Sequence, residues 1–319
     1  MHGFQLWYTN LVTGAQSKPF TFISATSPIL PGAALGTSLT DRVSNGNSNY
    51  NALWVTATRH FAKGFQFSAN YTWSKSLDYA SQAGAAQPEN SLNVRGDYGP
   101  SDFDARHRFT FNGVYDLPFK ANRLVDGWRL SGVLSLQTGN PLNILAGTPV
   151  TIAGITGASA SLFTGVATNR PDLIGPVTIV NQAITTGAQA GNIQWLPANS
   201  VCDPRLGACA AGTIFALPVA TSGTTSIYHF GNLGRNSVIG PDFKNVDFSL
   251  TKTTRITERL RNEFRVEAFD LFNHPNFGNP NRTAVTSAGN TFGVINSTRF
   301  PNGDSGSARQ LQFAVKFIF

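Results

Sequence analysis

From Phe65 to Ser74, apolar and polar side chains alternate without exception. Phe65, Phe67, Ala69, Tyr71 and Trp73 alternate with Gln66, Ser68, Asn70, Thr72 and Ser74. An α-helix would spread side chains at this spacing around its circumference, whereas a β-strand places successive side chains on opposite faces. The segment is therefore predicted to be a strand with one apolar and one polar face.

The alternation recurs along the chain, so its overall fold is predicted to be all-β. The further apolar faces are Leu53, Val55, Ala57 and Phe61; Phe109, Phe111, Gly113, Tyr115 and Leu117; Trp128, Leu130, Gly132, Leu134 and Leu136; Val246, Phe248 and Leu250; Phe264, Val266 and Ala268; and Leu311, Phe313, Val315, Phe317 and Phe319. The polar sides carry Asn, Ser, Thr, Gln and charged residues, although Val114 interrupts one of them.

The length of these segments favours a transmembrane barrel. Strands of about ten residues with one apolar and one polar face are what an outer-membrane β-barrel requires, with lipid on the apolar side and the lumen on the polar side. A soluble β-sandwich also alternates, usually in strands of about five or six residues. Charged residues make up only 13% of the chain, against about 25% in soluble domains, which again favours the barrel.

The connections between the predicted strands alternate in length. Short ones fall at residues 62–64, 120–126 and 254–258, and long ones at 77–107, 138–241 and 273–308. Outer-membrane barrels alternate short periplasmic turns with long extracellular loops. Residues 139–241 and 274–308 are therefore predicted to be extracellular loops. With a weaker strand near Phe4–Tyr8, the prediction is about eight long antiparallel strands that form one barrel portion across residues 1–319.

No segment is predicted to be a spanning helix or a signal peptide. The uncharged stretch 130–169 is interrupted by Gly and Pro, and a spanning helix needs about 20 predominantly apolar residues. Met1 is followed by neither a basic start nor an apolar core. We therefore expect the complete protein to begin upstream of Met1. The net charge of +7 comes from scattered Lys and Arg, so nucleic-acid binding is not predicted.

Six stretches, taken together, resemble the C-terminal barrel of TonB-dependent receptors of the Oar-like type. They are residues 47–53 (NSNYNAL), 71–77 (YTWSKSL), 104–109 (DARHRF), 231–236 (GNLGRN), 262–281 (NEFRVEAFDLFNHPNFGNPN) and 309–319 (RQLQFAVKFIF). The resemblance implies an outer-membrane location and a role in the uptake or export of a substrate. Such transporters have about 22 strands around a plug, so the chain corresponds at most to the last third of the barrel, without the plug and the N-terminal domains.

The resemblance also implies the partners. These are outer-membrane lipid and lipopolysaccharide, the outer-membrane assembly machinery, and TonB only through the missing N-terminal part. Two other functional classes stay open: a small structural barrel or passive pore closed from these strands alone, and a soluble secreted β-sandwich that acts as an adhesin or glycan binder. Eight strands leave an interior that side chains fill, so such a pore would conduct poorly.

No enzymatic activity, cofactor or metal is predicted. The histidines His2, His60, His107, His229 and His274 show no metal-binding spacing. Asp97, Asp102, Asp104 and His107 lie close together in the sequence. Their oxygens would suit calcium, but short polar side chains that cap turns before a strand explain the pattern more simply.

Two further features carry predictions. Cys202 and Cys209 lie in the longest predicted loop, with Pro204 and Gly207 between them. Because an outer-membrane loop matures through an oxidising periplasm, these cysteines are predicted to form a disulfide.

The chain ends on an alternating aromatic strand that resembles the signal read by the outer-membrane assembly machinery, with Phe313, Val315, Phe317 and Phe319 as its candidate residues.

Overall fold

A computed structural model describes residues 8–9, 16–17, 46–81, 89, 93–122, 125–147, 169–222, 225–286, 290–299 and 308–319 of the chain. Among these residues, seven long strands form one antiparallel sheet, each paired with the next along the chain: β1 (Ser48–Ala62), β2 (Phe65–Asp78), β3 (His107–Asp116), β4 (Trp128–Gln137), β5 (Phe243–Arg255), β6 (Arg261–Phe269) and β7 (Gln310–Ile318). Each contains one of the alternating segments. The prediction of an all-β, antiparallel fold is confirmed. We call this sheet the wall.

The register of the wall places the predicted apolar faces on one side. Phe67 lies opposite Gly113, Phe111 opposite Leu134, and Leu134 opposite Val246. The alignment continues through the pairs Ala57–Ala69, Phe248–Ala268 and Val266–Phe313. Since a slip of one residue would turn a whole strand over, this agreement shows that hydrophobic pattern and pairing specify the same register. Many of these apolar side chains are exposed, including Leu53, Val55, Trp73, Leu136, Phe264 and Phe313.

Short and long connections lie at opposite ends of the wall. Lys63 and Gly64 join β1 to β2, and both have positive φ, 53° and 77°, as a two-residue type I′ hairpin requires. Residues 117–127 and 256–260 make the other short connections, and β7 ends on the same side. The described residues of the long connections 79–106, 138–242 and 270–309 lie at the opposite end. We call the described residues of these long connections the cap.

The predicted strand count is not confirmed. The described part of the expected first strand, Tyr8–Thr9, pairs with Gln16–Ser17 in a separate ribbon, and Phe4 lies outside the described residues. The short strand Gly99–Pro100 pairs with the end of β2. No pairing between β1 and β7 occurs within the described part of the chain. As described, the wall is an open sheet with two edges.

The buried hydrophobic core of the described residues lies in the cap, not in the wall. Its main cluster consists of Leu142, Ile144, Leu196, Ile214, Phe215, Leu233, Val238, Ala284 and Phe292. Phe215 and Phe292 meet edge to face, with ring centroids 5.7 Å apart. The described residues of the predicted loops therefore form a packed layer at one end of the wall.

Short strands hold the cap together across large sequence distances. Three of the pairings each join two strands: Pro141–Leu142 with Val238–Ile239, Leu145–Ala146 with Thr283–Ala284, and Val219–Ser222 with Thr225–Tyr228. Phe215–Ala216 pairs with two strands, Asp172–Leu173 and Val201–Cys202. Ile193–Gln194 also pairs with two strands, Gln182–Ala183 and Val294–Ile295. The 3-10 turns Val94–Asp97 and Pro204–Leu206 complete the described elements. Among the described residues, no helix has the length and apolar character needed to cross a membrane.

Candidate functional site

A cavity of about 560 Å³ lies where the polar face of the wall meets the cap. The wall contributes Tyr50, Thr72, Ser74, Ser76, Arg108 and Gln137, and the cap contributes Asp102, Phe103, Asp104, Ala105, Asn140 and Arg299. This volume lies within the range of small-molecule sites, about 300–1,000 Å³. The cavity is therefore the candidate functional site.

Strand register aligns the wall side of the cavity. Tyr50 of β1 lies opposite Ser76 of β2. Thr72 of β2 lies opposite Arg108 of β3, and Arg108 lies opposite Gln137 of β4. These residues belong to the polar side of the alternation, so all of them face the same way.

Hydrogen bonds fasten residues 101–105 to the end of β2. The backbone N–H of Ser76 donates to Oδ1 of Asp104 (2.8 Å), and the hydroxyls of Ser76 and Ser101 are 2.8 Å apart. The Ser74 hydroxyl donates to the carbonyl oxygen of Ala105 at 3.0 Å. Ser101 and Asp104 are buried. Strand β2 thus lines the cavity and also holds the cap residues on its other side in place.

Two arginines in the cavity have no carboxylate partner within the described part of the chain. Arg108 is exposed on the wall, and Arg299 is half-buried in the cap with its guanidinium 5.6 Å from the ring centroid of Phe243. Burial and, next, the positive charge of Arg108 lower the pKa of Arg299. Since a guanidinium stays protonated in proteins, the cavity holds two neighbouring positive charges.

The four residues of the acidic sequence cluster do not converge on one point: Asp102 and Asp104 line the cavity, whereas Asp97 and His107 do not. Asp97 pairs with Arg170 inside the cap, whereas Oδ1 of Asp102 accepts a hydrogen bond from the Asn236 amide (2.6 Å). Asp104 accepts from Ser76, and Nδ1 of His107 lies 2.8 Å from the Tyr71 hydroxyl on the apolar face. Within the described residues, no group of three or more His, Cys, Asp or Glu could hold a metal ion. The cluster is therefore not assembled as a calcium site.

Two buried arginines connect the long connections to each other. Arg170 pairs with Glu89 at 2.6 Å and also with Asp97. Arg235 pairs with Asp78 at 2.6 Å and with Asp102 at 3.3 Å. Since both arginines lie in residues 138–242 and their partners in or next to residues 79–106, these ion pairs join the two parts of the cap.

The Glu89 carboxyl carries a cost of burial. Burial raises its pKa from 4.5 to about 7, although the charge and the backbone N–H of Arg170 lower it. The ion pair with Arg170 offsets only part of the cost of burying this carboxylate, because Arg170 also pairs with Asp97. The negative charge of Asp97 raises the pKa of Glu89 further.

The sulfurs of Cys202 and Cys209 are joined in a disulfide, with 5.6 Å between the Cα atoms. The pair encloses the 3-10 turn Pro204–Leu206, which Asp203 caps by accepting a hydrogen bond from the Arg205 backbone N–H at 3.0 Å. Leu206 projects from this turn with 82% of its surface exposed.

The C-terminal strand contributes to the exposed apolar face. Phe313 lies opposite Val266, Val315 opposite Phe264, and Phe317 opposite Asn262. All three members of β7 in these pairs are exposed. Phe319 follows the end of β7 and is 92% exposed.

Sequence reasoning missed this cavity. Arg108 was visible as a charged residue on the polar side of a strand, but no local pattern connects it with Arg299. The two residues are 191 positions apart in the sequence, and only the packing of the cap against the wall brings them to the same cavity.

The model of the family described as "Outer membrane beta barrel domain" matches residues 2–312. Comparison with curated proteins and with solved structures gave no match.

Proposed function

The chain belongs to the outer membrane beta barrel domain family, and on that premise we propose that it forms part of the barrel of a TonB-dependent receptor of the Oar-like type. The protein is located in the bacterial outer membrane. This location accounts for the exposed apolar face of the wall, because such a face is costly in water and favourable in lipid.

In this proposal the two faces of the wall have different neighbours. Membrane lipid and lipopolysaccharide cover the face that carries Phe67, Phe111 and Leu134, and the face that carries Ser68 and Asn112 lines the lumen. The long connections lie outside the cell and the short ones in the periplasm, as in other outer-membrane barrels. Further strands pair with both edges of the wall, and TonB contacts only an N-terminal part of the complete protein.

The cavity between the polar face and the cap is the observation that carries a transport role. A solute that passes between the cap and the lumen meets the polar side chains of β1 to β4 at this point. We propose the uptake or export of a solute through this route, with no chemical conversion of the solute, no cofactor, and no nucleic-acid partner.

Conductance and TonB binding test this function. The natural protein, extracted from the outer membrane and placed in planar bilayers, is expected to be closed and to bind the periplasmic domain of TonB. Steady conductance without TonB binding would show a passive pore instead. A protein that fractionates without detergent would contradict the membrane role altogether.

We further propose that the C-terminal strand acts in assembly. Phe313, Val315, Phe317 and the terminal Phe319 present an exposed apolar row at an edge strand. Exposed apolar edges invite pairing with other chains, and here the proposed partner during insertion is the outer-membrane assembly machinery.

A further inference from the structure

Among the described residues, two positively charged side chains of the cavity are not paired with a carboxylate. Arg108 and Arg299 both line it, and neither forms an ion pair within the described part of the chain. Elsewhere on the same polar face, Arg129 bonds Asp116 through two nitrogens, and Arg265 bonds Glu263 at 2.8 Å. Arg255 and Arg261, which lie opposite each other at the other end of the wall, form no ion pair within the described residues. What distinguishes Arg108 and Arg299 is that both line one cavity.

The acidic side chains of the cavity are occupied by other groups. Asp104 accepts from the Ser76 backbone N–H and from Arg106. Asp102 accepts from Asn236 and from Arg235. Asp104 thus pairs with Arg106, and Asp102 shares Arg235 with Asp78. Neither carboxylate pairs with Arg108 or Arg299.

Polar groups without a hydrogen-bond partner surround the two arginines. Within the described residues, the side chains of Tyr50, Thr72 and Gln137 form no hydrogen bond, although all three line the cavity. Phe103 adds an apolar ring that is 63% exposed. This combination of hydroxyl, amide and aromatic groups suits a ligand that carries hydroxyl groups on an apolar ring.

We propose that the cavity binds a hydroxylated organic anion, such as an acidic sugar, whose carboxylate or phosphate lies between Arg108 and Arg299. The proposal rests on the transport function above and names its substrate class. Guanidinium groups bind carboxylate and phosphate oxygens in bidentate geometry. Tyr50, Thr72 and Gln137 supply hydrogen bonds to the hydroxyl groups of the ligand.

The electrostatics of Arg299 support this arrangement. Burial and the charge of Arg108 both disfavour its charged form. An anion between the two guanidiniums replaces their mutual repulsion with two attractions, so binding relieves a cost that the empty cavity carries.

Calorimetry of the natural protein in detergent tests the proposal with D-glucuronate, D-glucose 6-phosphate and D-glucose. At least one of the two anions is expected to bind, and glucose about tenfold more weakly or not at all. Arg108→Gln and Arg299→Gln should each weaken binding of the anion by about tenfold or more, whereas Arg108→Lys retains part of the affinity. Arg129→Gln is the matched control on the same face, and it should bind like the unmodified protein.

The two anions distinguish the sources of the charge. Binding of glucuronate alone assigns the site to a carboxylate, and binding of glucose 6-phosphate alone to a phosphate. Absence of binding by both anions, equal binding of glucose, or unchanged binding in the Arg108→Gln, Arg299→Gln double variant would overturn the proposal. Migration of each variant as a folded band on unheated gels excludes misfolding. TonB binding is measured in a separate experiment. If the natural protein binds the anion but not TonB, the proposed transport function is rejected and the anion site is not.

Discussion

The wall and the cap place their apolar side chains in opposite directions. In the wall, Leu53, Phe264 and Phe313 point outward and are exposed, while the polar face carries Ser, Thr, Asn and charged residues. In the cap, Phe215 and Phe292 are fully buried against aliphatic neighbours, although other apolar side chains such as Leu206 stay exposed. One chain thus contains a region with an exposed apolar face and a region with a buried apolar core.

In the proposed arrangement, the difference follows from the solvent on the outer side of each region, which is lipid for the wall and water for the cap. Lipid covers apolar groups at no cost, so the wall needs no hydrophobic core of its own and is held by strand pairing. The cap lies beyond the wall and must bury its apolar groups as a water-soluble domain does. Its ion pairs and short strands then join segments that would otherwise be separate loops.

The largest expected effect comes from removing the cation at the centre of the cap. Arg170→Met leaves Glu89 and Asp97 buried without their partner, which costs about 3–5 kcal/mol. We expect trypsin to cut the cap of the folded barrel, while the wall keeps its heat-modifiable migration on gels. Lys244→Met is the control, since its pair with Asp242 is exposed and is worth at most about 1 kcal/mol. If the cap of Arg170→Met stays resistant to trypsin, the cap does not depend on this buried cation, and the expected difference between cap and wall is contradicted.

The next effect separates the two faces of the wall. Leu134→Arg places a charge on the lipid side and should cost roughly 2–4 kcal/mol near the bilayer midplane. Ser135→Arg, one residue away on the polar side, should fold almost normally. The measurement is the folded fraction in lipid vesicles. Equal tolerance of arginine at both positions would contradict the barrel.

The pH dependence of the cap follows from Glu89. Its pKa of about 7 in the folded protein lies above the ordinary value of 4.5, so the folded cap holds this proton more tightly. The stability that it contributes is fully present below about pH 4.5 and is lost as the pH rises through 7. The upper limit is about 3 kcal/mol at about 1.4 kcal/mol per pKa unit. Denaturant unfolding of the cap at pH 5 and pH 8 should therefore differ less in Glu89→Gln; an unchanged difference would refute this role of Glu89.

Removing the disulfide should loosen only its own segment. Cys202→Ser with Cys209→Ser opens a loop closed over a sequence separation of 7, which costs about 2 kcal/mol. Protease sensitivity should rise around residues 202–209, while the wall and the cavity stay intact. Treatment of the unmodified protein with reductant should reproduce the effect, and no change in either sample would show that the bond is dispensable.

The smallest effect on the stability of the folded protein is expected at the C-terminus. Deletion of Phe319, which is 92% exposed, should change stability by less than about 0.5 kcal/mol. The amount of folded protein in the outer membrane should nevertheless fall, because the proposed role is in assembly, and transport per folded molecule should be unchanged. Normal insertion with reduced transport would assign Phe319 to function instead.

The wall was predictable because its information is local. Each strand shows its two faces over about ten residues. Lys63 and Gly64 form the turn between β1 and β2, where both residues have positive φ as a two-residue hairpin requires. The eighth strand near Phe4–Tyr8 offered only a short alternation, and its described end pairs elsewhere. A short alternating segment does not specify which neighbour it joins.

The acidic cluster shows why proximity in sequence was misleading. Asp104 and His107 are three positions apart, but strand geometry turns His107 toward Tyr71 on the apolar face, while Asp104 bonds the backbone of Ser76. Asp97 lies in a different part of the cap, beside Arg170.

The sequence by itself determined the all-β wall, the sidedness of its strands and the alternation of short and long connections, because side chains on a strand alternate with a period of two. Only the tertiary structure decided that the long connections pack into a cap, that Arg170 and Arg235 join its parts, and that Arg108 and Arg299 line one cavity. These residues are 73, 157 and 191 positions apart in the sequence. No local pattern encodes such pairs, since burial and charge balance are properties of the assembled fold.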